Sequence, residues 1–391
     1  MFGFGRLASY DYFTHLERAL SERLRASGDD VAIHVAHLAP TASIRRRALS
    51  LAELVASTCD ASNPLGGPIH LVGHSTGGLD ARLVASPSVS LAVPRQSLEW
   101  RSRLASVTTI NTPHFGTPLA SFFTTASGQR VLRALSALTV IALTVGSPPL
   151  SAVSALVAAF GRVDRALGLE LKVLDRTTDA LLRGIDEVRG QEIRNYLDSI
   201  KEDNGAMVQL MPEAMDLYIA GVEDRQGVLY QSTASMAPPP SPRTLLSALK
   251  GPWSLLSGAI FAILYGITSR CDKRYPCAAP DAGDRNEQVL ASAFGRKPGL
   301  RANDGVVPIR SQVWGKLIWA GYADHLDVLG HFAGTTHGGA PADAAGPPHV
   351  DWLCSGSTFD RERFASLTTA VANGLIASGQ SLRVGQQGLA R

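Results

Sequence analysis

Apolar residues recur along this chain with two periods, and the switches between the periods mark out its elements. Phe13, Leu16, Leu20 and Leu24 fall three or four apart, so a helical face runs through residues 12–26 and stops at Gly28. Val31, Ile33 and Val35 then alternate with Ala32, His34 and Ala36, which predicts a strand over 30–38. Ile44, Leu49, Leu51, Leu54 and Val55 return to helical spacing across residues 42–57. A continuous apolar run at 69–72 reads as a buried strand over 68–73, and Leu79, Leu83 and Val84 carry a helix on to about Ala85. Pro87 and Pro94 open a loop, and the next strand, 105–110, stops at Asn111-Thr112-Pro113.

Beyond that point the pattern loosens. Residues 119–222 read as mainly helical, with Leu132, Leu135, Leu138 and Ile141 on one stripe and Leu167, Leu171, Leu174, Leu181, Leu182 and Ile185 on another. A strand at 227–233 returns to the core. Prolines at 238–240 and 242 begin a second excursion through the apolar stretch 255–267, and Asn303-Asp304-Gly305 turns the chain back. A last strand at 317–321 ends just before Asp324-His325, a Gly- and Pro-rich loop covers 334–348, a closing helix covers 364–376, and no internal repeat is visible. Strands alternating with helices predict an α/β fold with a mostly parallel sheet, helices on both faces and a helical cap insertion. The division that follows is 1–118 for the first part of the core, 119–226 for the cap, 227–378 for the returning core and 379–391 for a loose tail.

Composition narrows the classes. At 391 residues, 45% hydrophobic and 18% charged, the chain is a folded protein with room for insertions. A net charge of +3 is too small for nucleic-acid binding, and Arg45-Arg46-Arg47 reads as a solvated helix face. Cys59, Cys271, Cys277 and Cys354 make no disulfide framework; Cys271 and Cys277 either close one small loop or remain thiols. Met1-Phe2-Gly3-Phe4-Gly5 has neither a basic start nor an apolar core of a leader, which gives a cytoplasmic expectation. The apolar run 135–160 is broken by Gly146-Ser147-Pro148-Pro149, and 255–267 is shorter than the ~20 residues a span needs, so no transmembrane span is expected.

The chemistry gathers at Gly73-His74-Ser75-Thr76-Gly77, a G-x-S-x-G pentapeptide between strand and helix. In that context the serine sits on a strained turn at a helix N-terminus, and side chains at Gly73 or Gly77 would crowd the neighbouring backbone. A serine used this way needs an imidazole base and an orienting carboxylate, following it in the order acid, then histidine. Asp304, in its Asp-Gly turn, meets the first need. His325, just past a strand, meets the second, with His349 as the rival on spacing alone. His331 lies six residues past His325 on a helix-like stretch, His337 sits in a glycine-rich loop with no strand leading into it, and His74 reads as packing.

Four stretches together resemble the lipase-type α/β-hydrolases, most of all bacterial triacylglycerol lipases. They are Gly73-His74-Ser75-Thr76-Gly77-Gly78, the stretch from Ser106 to Thr117 with its Thr-Thr-Ile-Asn-Thr-Pro-His core, Asn303-Asp304-Gly305-Val306-Val307-Pro308, and His325-Leu326-Asp327. The resemblance covers about 250 residues in the right order and leaves the insertion and tail unmatched. It implies an α/β-hydrolase fold, with Ser75 as nucleophile, Asp304 as acid and His325 as base. The N–H of Thr76 would be one oxyanion donor. The other would follow an apolar strand near the amino end, where Phe2 is the best match; no strand precedes it here, so either the start lies upstream or the sheet lacks that strand. It implies no organic cofactor. The expected metal set is none; members of the family often hold a structural calcium, for which Asp327 is the candidate ligand here with a second aspartate from Asp281 or Asp284, the alternative being that Asp327 caps or pairs locally, and His331 stands where a glutamine is expected, a poor partner for a cation that prefers oxygen. The implied activity is hydrolysis of carboxylic esters of acyl lipids through an acyl-enzyme on Ser75, with an acyl ester or lipid as partner and an apolar cap that meets acyl chains or a lipid interface. The alternatives are a soluble carboxylesterase or thioesterase, or a non-catalytic relative serving as a binding protein; equally, the cap is ordinary core packing of an inserted subdomain.

Overall fold

The computed structural model describes residues 6–7, 10–39, 41–59, 66–125, 128–129, 131–132, 135, 203, 205–241, 252–275, 277, 282–332 and 349–389. Phe2, Asp281, His337, the 334–348 loop and most of the 119–226 cap, including both leucine stripes beyond Leu135, lie outside these residues.

The centre is a parallel sheet in the order β3 (Ile69–His74), β4 (Leu104–Ile110), β5 (Leu229–Met236) and β6 (Lys316–Tyr322). The α/β class read from the periodicities is therefore present. All of β4 and nearly all of β5 are buried, which is why Leu-Ala-Ser-Val-Thr-Thr-Ile reads as a run and not as an alternation. Ahead of the sheet, β1 (Arg6–Leu7) and β2 (Tyr10–Asp11) form a small antiparallel ribbon.

Helices close both faces. On one face α1 (Thr14–Ala26) buries Leu16, Leu20 and Leu24 with the last long helix, α9 (Arg361–Leu389), around Ile110 and Trp319. Each buried leucine contributes about 1.5–3 kcal/mol. On the other face α2 (Ile44–Thr58) and α3 (Thr76–Ala85) pack on β3 and β4. Arg47 of α2 and Asp80 of α3 form a buried ion pair at 2.8 Å, 5% and 0% exposed. The solvated face read for Arg45-Arg46-Arg47 is thus corrected at Arg47, which faces inward because Asp80 is there to meet it. Arg82 of α3 is also fully buried, stacked 3.4 Å from the Trp314 ring and 3.7 Å from Asp224.

Three short helices, α4 (Pro118–Phe123), α5 (Gly205–Gln209) and α6 (Pro212–Gly221), lie next to the carboxyl ends of β3 and β4. The apolar stretch near 255–267 is helix α7 (Pro252–Thr268), whose Ile260, Phe261 and Leu264 are buried in the same core. Helix α8 (Asp284–Phe294) packs Leu290 and Phe294 on β5 and β6. No described helix is long and apolar enough to cross a membrane. All four cysteines are free thiols.

Two elements differ from the periodicity reading. Residues 30–38 form no strand and pair with none among the described residues. Helix α9 runs well past 376 and through most of the stretch read as a loose tail. Its glycines do not stop it: a Cβ at Gly374 would come within 2.3 Å of Gln231 Oε1, so this glycine lets the helix sit close on the sheet.

Candidate active site

Strand β3 delivers Ser75 at its carboxyl end, and α3 begins with the next residue. The turn holds Ser75 at φ 55°, ψ −129°, a sparsely populated region that costs about 1–3 kcal/mol and persists only where packing enforces it. The enforcement comes from Gly73 and Gly78. A Cβ on Gly73 would lie 2.3 Å from the Gly77 carbonyl, and one on Gly78 would lie 2.1 Å from Thr112 Oγ1. The crowding read at Gly77 is corrected, since a Cβ there meets nothing within 4 Å.

Three side chains from three loops then fall in line. His325 Nε2 is 2.9 Å from Ser75 Oγ, and His325 Nδ1 is 2.7 Å from Asp304 Oδ2. The three residues are 4%, 0% and 0% exposed. The spacing of the loops is fixed twice, because the backbone N–H of His325 also donates to the Asp304 carbonyl at 3.0 Å. Asp304 is held on both oxygens. Its Oδ1 accepts the N–H groups of Val306 (2.9 Å) and Val307 (2.7 Å), and Oδ2 accepts from Asn111 Nδ2 at 3.1 Å. Gly305, at φ 94°, permits the bend that aims those amides back at the carboxylate. The Asp304–Nδ1 contact makes Nδ1 the protonated nitrogen, which leaves Nε2 as the acceptor facing the hydroxyl. Burial lowers the His325 pKa while the Asp304 charge opposes the shift, so the ring rests neutral, with Nε2 free to accept a proton.

His74 does more than pack. Its Nε2 lies 3.0 Å from the His325 carbonyl and its Nδ1 lies 3.1 Å from Tyr12 Oη, so the imidazole donates to the carbonyl and accepts from the tyrosine. Burial, then the neighbouring His325, keeps it neutral. The rival His349 is elsewhere, with Nε2 3.6 Å from Asp327 Oδ1, and His331 lies in the loop beyond Leu329, its ring beside those of His15, Tyr12 and Trp352. Tyr12 and Asn111 escaped the sequence reading. Asn111 left a trace as the polar residue ending the β4 motif, whereas Tyr12 left none.

Thr76 lies beside Ser75 at the start of α3, where the first amides of a helix have no intrahelical partner. Both residues line a small cavity of about 30 Å³, the size of one water, walled by Leu119, Phe123, Met207, Leu210, Leu264 and Val306. The place is dry and positive-ended, suited to a developing oxyanion.

A second polar cluster sits just past β6. Carboxylate oxygens of Asp324, Asp327 and Asp351 lie within 4.8 Å of one another. Oxygens sharing one calcium ion at 2.3–2.6 Å lie within about 5 Å, so the spacing fits. Asp324 is fully buried and its Oδ2 has no hydrogen-bond partner. Ser357 Oγ and the Asp324 N–H hold Asp327 Oδ2 at 2.6 and 2.8 Å. Asp327 lies in this cluster with Asp324 and Asp351 beside it, and Ser357 pairs with it locally. Asp284 is in the first turn of α8, outside the cluster.

No protein-family profile matches the chain, and no curated protein matches it in sequence. Among solved structures it is similar to the Staphylococcus hyicus lipase, at 15% identity over 94% of this chain and 89% of that one, TM-score 0.44. It is also similar to EstA from Clostridium botulinum (17%, 95% and 84%, TM-score 0.45) and to lipase 1 from Pelosinus fermentans (16%, 84% and 88%, TM-score 0.43). Values of this size leave the reading of the site to its own geometry.

Proposed function

We propose that this chain is a serine hydrolase that cleaves carboxylic esters of acyl lipids through an acyl-enzyme on Ser75. One observation carries the reading: the Ser75–His325–Asp304 line, at 2.9 and 2.7 Å, buried against an apolar cavity. In the proposed reaction His325 Nε2 takes the hydroxyl proton as Ser75 Oγ attacks the ester carbonyl. The Thr76 N–H stabilises the oxyanion, and His325 then protonates the departing alcohol. Water, activated by the same nitrogen, releases the acid. Asp304 holds the ring and stabilises its cationic form. The leucines, Phe123 and Met207 around Ser75 favour an acyl chain over a polar acid. A cavity of one water's size admits no substrate, so α4, α5 and α7, which supply its walls, have to part when an ester binds. An apolar acyl chain or lipid surface is the partner that favours the parted state.

Asp324, Asp327 and Asp351 would hold a calcium ion in this reading. Such an ion would take no part in the chemistry; held by these residues, it would offset two of the three carboxylate charges and tie down the loop that starts with His325.

Fluorophosphonate labelling followed by peptide mapping tests the nucleophile. The label is expected on Ser75 alone, and Ser75→Ala is expected to lose ester hydrolysis by at least about 10³-fold while its unfolding midpoint stays within about 0.5 kcal/mol of the parent. A label on another residue of an active preparation overturns the reading. Rates on p-nitrophenyl esters of increasing chain length, set beside emulsified triglyceride, separate a lipase from a soluble esterase.

A further inference from the structure

His325 is held from more than one direction. Asp304 bonds its Nδ1 at 2.7 Å and accepts its backbone N–H at 3.0 Å. A further bond comes from the residue just before Ser75, since His74 Nε2 lies 3.0 Å from the His325 carbonyl. A carbonyl only accepts, so Nε2 of His74 carries the proton and Nδ1 offers a lone pair. Tyr12 Oη, 3.1 Å away, donates to that lone pair. One hydroxyl therefore fixes the tautomer of His74, and the tautomer fixes the bond to His325.

Packing alone does not account for this arrangement. His74 and Tyr12 are 5% and 2% exposed, and an apolar ring at position 74 would fill such a space with no polar atoms to satisfy. Instead both nitrogens of a buried imidazole are bonded, to partners 62 and 251 positions away. The ring also stands beside that of His325, their centroids 4.8 Å apart. The stretch from Tyr12 to His15 meets the loop after β6 a second time, with its Tyr12 and His15 rings 6.5 and 5.8 Å from the ring of His331. The loop that carries the short turn Asp327–Leu329 is thus held at His325 and again at His331.

We infer that Tyr12 and His74 are positioning residues for the base and act in series: Tyr12 holds the His74 tautomer, and His74 holds the main chain of His325 so that Nε2 stays in line with Ser75 Oγ. The inference rests on the reading proposed above, in which that nitrogen takes the serine proton across 2.9 Å. A misplacement of about 1 Å between reacting groups costs roughly 10²-fold in rate. Asp304 fixes the ring and the peptide before it. The bond from His74 fixes the peptide after it, which Asp304 does not touch.

The test is the rate of fluorophosphonate labelling at Ser75, together with kcat and KM on a p-nitrophenyl ester. Tyr12→Phe removes one oxygen and is expected to lower the labelling rate and kcat about tenfold with KM unchanged. His74→Phe keeps an aromatic ring, loses both bonds and is expected to lower them by about 10²-fold. The Tyr12→Phe, His74→Phe double variant is expected to be no slower than His74→Phe, because the hydroxyl acts only through the imidazole. His74→Gln can still accept from Tyr12 and donate to the carbonyl, and is expected to recover most of the rate. A loss confined to KM, additive losses in the double variant, or equal rates with Gln and Phe at position 74 each overturn the proposal in favour of simple packing. A second readout needs no turnover: in proton NMR the low-field signal of the proton between His325 Nδ1 and Asp304 is expected to shift and to exchange faster with water in Tyr12→Phe. If the parent takes no label on Ser75 while this signal responds, the hydrolase reading falls and the positioning stands. If Ser75 is labelled at the parental rate in every variant, the hydrolase reading stands and the positioning falls.

Discussion

At the scale of single residues, the site depends on atoms that are absent as much as on atoms that are present. Gly73 and Gly77 look equivalent in the pentapeptide, yet only Gly73 abuts backbone. Gly73→Ala places a Cβ 2.3 Å from the Gly77 carbonyl and is expected to cost about 3 kcal/mol or more in urea unfolding and to abolish labelling of Ser75. Gly77→Ala has open space and a helical backbone, and is expected to be neutral or up to about 1 kcal/mol stabilising in the same measurement. Ser75, Asp304 and His325, which the structure brings into one hydrogen-bonded line, were legible because each sits inside a local motif whose neighbours shape it. Asn111, Tyr12 and Asp351 were missed because their roles exist only between residues far apart in sequence. Asn111 reaches Asp304 across 193 positions, and nothing beside it in sequence says so.

Elements show where periodicity stops being informative. The alternation at 30–38 reports residues suited to a strand, but pairing needs a neighbour, and among the described residues none pairs with it; an open cavity of about 530 Å³ runs alongside. Helix α9 outlasted its glycines because packing on the sheet outweighs propensity. The loop after β6 carries its own prediction. If Asp324, Asp327 and Asp351 hold calcium, saturating it to a hundred times Kd adds about 2.7 kcal/mol, or about 3 °C in Tm for a chain of this length. Calorimetry with calcium and then with chelator is expected to show that rise and its loss, and the Asp324→Asn, Asp351→Asn double variant is expected to show neither. A Tm indifferent to calcium in the parent removes the ion from the account.

For the whole molecule, buried histidines set the response to acid. Burial pushes His70 down to about 4, against a partial opposing pull from Asp29, and burial followed by Arg82 puts His114 well below its ordinary value. Each has a pKa of about 6.5 in the unfolded chain. Protons therefore bind the unfolded state first, so the stability these groups contribute is complete above pH 6.5 and is lost as pH falls through their folded values. For His70 the loss amounts to at most about 3 kcal/mol by pH 4. Urea midpoints taken from pH 7 to pH 4 are expected to fall, and His70→Gln is expected to flatten part of that slope. A variant with an unchanged slope removes His70 from the explanation. The composition already carried ten histidines, but which of them are dry is a property of the assembled layers and could not be read from their order.

The hydrogen bond between His325 and Ser75 spans 250 positions. Read as time, and on the function proposed above, that span makes Ser75 a clock. Ser75 and its strand can form early, yet the hydroxyl has no base until residues beyond 300 have been made and docked, so an unfinished chain carries an inert serine. In refolding from urea, reactivity toward fluorophosphonate is expected to lag behind the recovery of helical circular dichroism. Equal rates for the two signals would mean that the base arrives with the first collapse.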